Sequence, residues 1–412
     1  MMGENKRALL YLSNHSDNIR SVKFFKDNLL ISTCDCGVVT IWNLSDKRSV
    51  GKYKVSNHSA FYASAFDKEQ FFVKTKEGSV KLWNLNYDYC VMKLDTNNFS
   101  YAKPYCVNGN IVTPINHDGD IAICDMREKH DLLLHTGENK NIENKIPCKG
   151  KLTSLSRDNK NINCSIEKYA KSKVTEEDVF CNNKWDNLKT GNNNKLVIHF
   201  DEIKKKVGQI KILSFCEKQH EYKHVLNTDL NLKLCNNILD IYPVPFFGET
   251  YMIACYEPSV FFIYDFRMTN QFVSSFMIDV KENVLSYHIN KNNCLVSTNN
   301  GSVYSLLLDQ NEQTYITKKA HTNDNMDNIV IRADSKIFIS TTNNCTINIC
   351  DLSQMKKIDY ISTYKFNYFN FLDFHPFSGF FAAAERNKIS LWVNHALSFE
   401  LPKRGKELLP AL

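Results

Sequence analysis

Motifs that carry chemistry are scarce in this 412-residue chain. None of its 14 cysteines forms a Cys-x-x-Cys pair, so a cysteine-held zinc site is not expected. There is no Gly-x-x-x-x-Gly-Lys-Ser/Thr loop to cradle phosphates, no Gly-x-Gly-x-x-Gly and no Gly-x-Ser-x-Gly elbow. Long apolar runs are missing at the start. MMGENKRALLYLS is followed at once by His15, Asp17 and Arg20, so neither a signal peptide nor a spanning helix is expected there. Intact Trp-Asp dipeptides in frame with any repeat are almost absent. These gaps argue against an enzyme, and no catalytic residue, metal or cofactor is expected.

What is present points to a large folded body. Hydrophobic residues make up 43% of the chain and aromatic residues 12%, enough to bury a core. The net charge of +6 comes largely from Lys beside Asn, which reads as solvated loop and not as a focused nucleic-acid face. Cys106, Cys124, Cys255 and Cys350 sit among apolar residues. Free buried cysteines fit a reducing compartment, so the cytoplasm or nucleus is expected. Cys34-x-Cys36 reads as two small residues at a strand end. His117-Asp118-Gly119-Asp120 reads as a hairpin turn with solvated carboxylates.

One unit recurs along the chain. A short apolar strand leads into a polar turn, then an alternating strand that ends at a Trp-like position. The copies are LLISTCDCGVVTIWN (29–43), FFVKTKEGSVKLWN (71–84), NIVTPINHDGDIAICD (110–125), YMIACYEPSVFFIYD (251–265), CLVSTNNGSVYSLLLD (294–309), KIFISTTNNCTINICD (336–351) and GFFAAAERNKISLWVN (379–394). The Trp-like position always follows the turn residue by five, as from Gly37 to Trp42 and from Asn387 to Trp392. Successive end positions, 42, 83 and 124, then 264, 306, 350 and 392, lie about 41–44 apart. That period, with four strands per unit, predicts an all-β, seven-bladed propeller. A lone blade cannot cover both its faces, and stacking around a ring does.

The expected organisation follows. Residues 7–135 form blades one to three, with 7–13 closing the last blade from outside. Residues 136–195, rich in Asn and Lys, form a disordered insertion that cannot offset its ordering entropy. Residues 196–396 form blades four to seven, and 397–412 are an extension. KLVIHFDEI (195–203) and QIKILSF (209–215) are expected as outer strands of the third and fourth blades.

The units resemble WD40 repeats over most of the chain. His15, Ser32 and Trp42 stand at the spacing of the hydrogen-bonded chain inside a WD blade, with Cys36 in place of the acidic partner. His58 and Trp83 in the second copy and Trp392 in the last are expected as further internal ties. The tail from NIVIRADSKIFIS to ERNKISLW, the segment YMIACYEPSVFFIYDF and the opening HSDNIRSVKFFKDNLLISTCDCGVVTIW resemble the G-protein-β-subunit-like protein 1 / ASTRA-associated protein 1 family. That resemblance implies a non-enzymatic cofactor acting with the co-chaperone complex that matures phosphatidylinositol-3-kinase-related kinases, or in a chromatin-associated complex. The Asn/Lys insertion and the extension depart from the family.

Two other roles fit other features. Asp125-Met126-Arg127 and Asp265-Phe266-Arg267 look like the Asp-x-Arg ending of repeats that dock a cullin-ligase adaptor, so Arg127 and Arg267 are possible partner contacts. Against this, an Arg after a strand simply faces solvent, and both copies lack the Trp of that motif. An assembly role in RNA or ribosome biogenesis is the third. Partners are expected to be proteins, met by a monomer inside a larger complex, without a small-molecule substrate or membrane. Tyr62, Tyr287 and Tyr368 are candidate contact aromatics that also fit a core.

Overall fold

The structure is a computed structural model and describes residues 8–26, 28–86, 89–115, 120–125, 166–168, 196–199, 210–213, 237–248, 250–257, 259–265, 267, 272–278, 282–309, 314–322, 325–362 and 369–393. Every regular element among them is a strand, and the strands form seven sheets. The fold is a WD40-like seven-bladed β-propeller.

Strand β1 (Leu10–Ser13) precedes the first blade, which holds β2 (Ile19–Lys26), β3 (Leu29–Cys34), β4 (Val38–Asn43) and β5 (Arg48–Lys54). The second blade holds β6 (Ala60–Ala65), β7 (Gln70–Thr75), β8 (Ser79–Asn84) and β9 (Tyr89–Asp95). The third opens with β10 (Tyr105–Val107), β11 (Asn110–Ile115) and β12 (Asp120–Asp125); then come β13 (Ile166–Lys168), β14 (Leu196–His199) and β15 (Ile210–Leu213). The fourth holds β16 (Ile238–Pro243), β17 (Tyr251–Tyr256), β18 (Val260–Asp265) and β19 (Phe272–Met277). The fifth holds β20 (Val284–Asn290), β21 (Asn293–Thr298), β22 (Ser302–Leu308) and β23 (Thr314–His321). The sixth holds β24 (Met326–Ile331), β25 (Ile337–Thr342), β26 (Thr346–Asp351) and β27 (Lys356–Ser362). The seventh holds β28 (Phe369–Phe374), β29 (Phe380–Glu385) and β30 (Lys388–Val393). Its fourth strand is β1, antiparallel to β30 with Leu10 opposite Leu391, which closes the ring from outside.

The blades repeat in detail. Leu30 faces Trp42, Phe71 faces Trp83 and Phe381 faces Trp392 across the middle hairpins. A bulge falls at the start of β2, β6, β16, β20, β24 and β28, between Ile19 and Ser21 in the first case. A bulge inserts one extra residue and increases the local twist, which bends each innermost strand as it enters the ring. Gly37 turns the β3–β4 hairpin at φ +71°, and a Cβ there would collide with the carbonyl oxygens of Ser56 and His58. Cys345 holds the corresponding place in the sixth blade at φ +59°. The core lies between blades. Trp83 packs with Ile31, Val39 and Ile41 of the first blade, and Trp392 with Ile337, Ile339 and Ile349 of the sixth.

The segment after β12 differs from expectation. β15, expected on the fourth blade, instead completes the third, against β12. β14, expected on the third blade, instead lies parallel to β9 on the edge of the second. A parallel partner needs a long crossover, which only the intervening segment can provide. β13, inside the stretch expected to be disordered, pairs antiparallel with β14 and makes the second sheet six-stranded. The fourth blade takes β19 as its outer strand, directly after β18. The rest of 136–195, and 397–412, lie outside the described residues.

Candidate functional site

In the first blade His15, Ser32 and Trp42 form a hydrogen-bonded chain that ends at the imidazole. Ser32 lies at its centre: its Oγ is 2.7 Å from His15 Nε2 and accepts the Trp42 Nε1–H at 2.7 Å. All three residues are buried. His15 Nδ1 is buried without a partner, and Cys36, at the sequence position of the usual acid, meets Ser16 Oγ and Cys34 Sγ instead. Burial, with Lys52 nearby, lowers the His15 pKa to about 4. The unfolded chain therefore binds a proton near pH 6.5 that the folded chain refuses until about pH 4. Stability from this group is complete above pH 6.5 and is lost as the pH falls toward 4, by about 3 kcal/mol in all. Urea unfolding midpoints across pH 4–7.5 test this. A His15→Gln variant is expected to lose the acid-side decline, and an identical pH profile in that variant would refute the assignment.

The other expected ties are incomplete. Matching Ile19–Cys34 with Ala60–Thr75 puts Ser56, not His58, at the place of His15. Ser56 Oγ donates to the Glu77 carboxylate, and the His58 side chain is exposed two residues further on. Burial raises the Glu77 pKa, but Lys81 and the Ser56 hydroxyl outweigh it and hold the carboxyl below its usual range. The indole N–H groups of Trp83 and Trp392 are buried without a hydrogen-bond partner, since Val73 and Ala383 replace the serine. Those two tryptophans act through packing alone.

The innermost strands are bound to one another around the channel. Ser21 Oγ accepts Ala63 N–H from the second blade, and Ser286 Oγ accepts Ile329 N–H from the sixth. Asp373 joins the seventh blade to the first: its Oδ1 accepts Lys23 Nζ at 2.7 Å and its Oδ2 accepts Phe24 N–H at 2.7 Å. Burial works against the Lys23 charge, but Asp373 outweighs it and the pKa is raised. Asp240 joins the fourth blade to the third through Lys103 N–H at 2.9 Å and Lys103 Nζ at 3.3 Å. His288 Nδ1 accepts Ile331 N–H, and burial, with Lys23 and Lys103, holds its pKa well below the ordinary value. That contact leaves the ring neutral with its proton on Nε2.

The aromatic candidates are part of this lining. Tyr62 and Tyr287 are buried, and Tyr287 donates its hydroxyl to the Asp240 carbonyl at 3.0 Å. Ring centroids run 6.2 Å from Tyr62 to Tyr105 and 4.9 Å on to Tyr242. Burial raises the pKa values of Tyr62, Tyr105, Tyr242 and Tyr287. Tyr368 and Arg127 lie outside the described residues. Arg267 is exposed, and its Nε and Nη2 grip Asp265, a buried carboxylate at the end of β18, at 2.9 and 2.5 Å.

One further group was not legible as functional from its motif. Lys74 is fully buried, and its ammonium donates to Ala102 O at 2.9 Å, Asn98 Oδ1 at 3.1 Å and Ser100 Oγ at 3.5 Å. Burial lowers its pKa to about 7, with Asp240 opposing. It fastens the 96–104 connector between the second and third blades. A charge inside an apolar strand, as in FVKT, VKFF, ILDIYP or FLDF, is the available signal for Lys74, Lys23, Asp240 and Asp373. Among the described residues no group of His, Cys, Asp and Glu could hold a metal. Cysteine spacing does not bear on His220-Glu221-Tyr222-Lys223-His224, whose spacing suits zinc when carried on a helix. Those residues lie outside the described part.

No protein-family model matches the chain, and no curated protein does. Solved structures do: 1725 chains match, so the fold is common and singles out no partner. One is the β-propeller domain of Cps50 (Swd1) from Myceliophteria thermophila, with a TM-score of 0.58 and 13% identity, covering 92% of this chain and 99% of that one. At that identity the likeness shows the fold alone.

Proposed function

We propose that this chain is a non-enzymatic WD-repeat scaffold of the cytoplasm or nucleus. It would serve assembly of phosphatidylinositol-3-kinase-related kinases with their co-chaperone complex, or a chromatin-associated complex. WD40-like propellers generally hold other proteins. The observation that carries the scaffold reading is the use of the channel's ionisable groups. Asp373, Asp240, Lys23, Lys103 and His288 Nδ1 are each spent on ties between blades, whereas a catalytic acid or base needs free reach to a substrate. The kinase-assembly part rests on the family resemblance of the blades.

One observation favours a second reading, a substrate receptor of a cullin-type ligase. Asp265 holds Arg267 in a fixed, exposed pose at a blade end, where a guanidinium can still meet a partner's carboxylate. Affinity purification of the tagged full chain under gentle lysis separates these readings. Recovery of kinase co-chaperones supports the first, and recovery of a ligase adaptor that Arg267→Glu abolishes supports the second. Recovery of ribosomal precursors alone would overturn both.

A further inference from the structure

The connector from the second blade to the third presents an unusual surface. Its side chains alternate: Thr96, Asn98 and Ala102 are buried, whereas Asn97, Phe99 and Tyr101 are exposed, Tyr101 to 69%. Buried polar contacts hold the inner set. Lys74 donates to Asn98, Ser100 and Ala102 from below. Thr96 Oγ1 donates to Gly78 O at 2.7 Å, and Asn98 Oδ1 accepts both Ser100 N–H and Ser100 Oγ–H. The outer aromatics therefore stand on a braced strip. The Tyr101 ring lies 4.7 Å from buried Phe61, and the Phe99 ring sits over Gly78, where a Cβ would meet it at 3.0 Å.

A guanidinium borders the aromatic pair. Arg20 spends its Nε on Asp35 Oδ1 at 2.6 Å, and Ser59 Oγ steadies the same oxygen at 2.7 Å. Among the described residues no acceptor lies against its two Nη groups, and the side chain is 38% exposed. Tyr101 lies on the same side, since its ring packs on Phe61, two residues beyond the Ser59 that binds Asp35. Exposed Lys76 and His58 lie on the neighbouring turns, with Lys76 N–H donating to Ser59 O at 2.8 Å.

We propose that this rim of the first three blades docks an extended, acidic segment of a partner protein. A carboxylate would sit on the outer edge of Arg20, and an adjacent bulky apolar side chain would lie on Tyr101 and Phe99. The proposal rests on the scaffold reading and gives it a place and a ligand chemistry. Three features point this way. A guanidinium fixed by its Nε offers its outer N–H fork to a carboxylate without further ordering. Tyr, Phe and Arg together are what protein interfaces concentrate at their energetic centre. A braced loop gives up little entropy on binding. Single-stranded nucleic acid also stacks on aromatics, but it needs a track of unpaired cations. Here Arg20 is half neutralised by Asp35, which leaves Lys76 as the free cation beside it among the described residues.

The test uses the purified full chain on an array of capped nonapeptides. One Asp or Glu neighbours each apolar residue in turn, beside Asn and Gln counterparts and a labelled oligouridylate. Retention is expected only where carboxylate and apolar side chain coincide. Arg20→Gln and Tyr101→Ala are expected to weaken it at least tenfold, whereas Ile316→Ala on an outer strand of the fifth blade leaves it unchanged. Equal retention of the amide peptides, insensitivity to both rim variants, oligouridylate binding alone, or no retention would each overturn the proposal. The same variants are then used in affinity purification. A partner that both rim variants retain refutes the docking site while the scaffold stands. No protein recovered by any form of the chain refutes the scaffold.

Discussion

Asp373→Ala is expected to be the most destabilising single change on the channel wall, by about 3–5 kcal/mol. The carboxylate is nearly buried and serves both Lys23 Nζ and Phe24 N–H, so its removal strands a cation and a backbone donor at one place. The loss falls where the last blade meets the first. It should appear as a lower urea midpoint and as earlier proteolysis near β1 and β28. A buried ion pair is weak evidence of net stabilisation, however, because desolvation opposes the attraction. Lys23→Met combined with Asp373→Leu should therefore recover most of the loss. If the double variant is as unstable as Asp373→Ala, the damage comes from packing or the Phe24 contact and not from the unpaired lysine.

Ser32→Ala is expected to follow closely, at about 2–4 kcal/mol. One hydroxyl satisfies both the Trp42 indole N–H and His15 Nε2 in a site without water-exposed alternatives. The seventh blade permits the reverse experiment. Ala383 occupies the corresponding position, and the Trp392 indole nearby is buried and unpaired. Ala383→Ser should restore that bond and raise stability by about 1 kcal/mol, since serine adds one oxygen where alanine packs. Unfolding midpoints in urea measure both changes. A destabilised Ala383→Ser would mean that the pocket cannot admit the hydroxyl in a bonding rotamer, and a neutral Ser32→Ala would dismiss the chain as a stabilising device.

The same comparison shows which parts of the structure sequence can express. Blade number and the inner hairpins were legible because they depend on local features: a turn residue, two alternating strands and a five-residue step from Gly37 to Trp42. The ties were legible only in part, since they depend on depth. His58 looks like His15 in composition, yet an offset of two residues leaves it in solvent and hands its place to Ser56. Val73 and Ala383 are unremarkable in sequence, and their consequence appears only when Trp83 and Trp392 are seen without partners. The channel pairs escaped for another reason. Lys23 and Asp373 are 350 residues apart, so no local spacing links them. β14 was misplaced because its apolar run specifies a strand but not which open edge it joins.

The closure of the ring by β1 and β30 bears on how the protein is made. Leu10 of β1 leaves the ribosome 381 residues before Leu391, its partner on β30. At synthesis rates of ~5–20 residues per second, β1 waits roughly 20–80 s for that partner. Throughout that interval Leu10 and Leu12 have no blade to join, and the first blade lacks the neighbour that covers Ile19 and Leu30. The nascent chain is an open arc with two sticky ends, which can find each other or the ends of another copy. Successful production thus depends on keeping one end shielded until the other arrives.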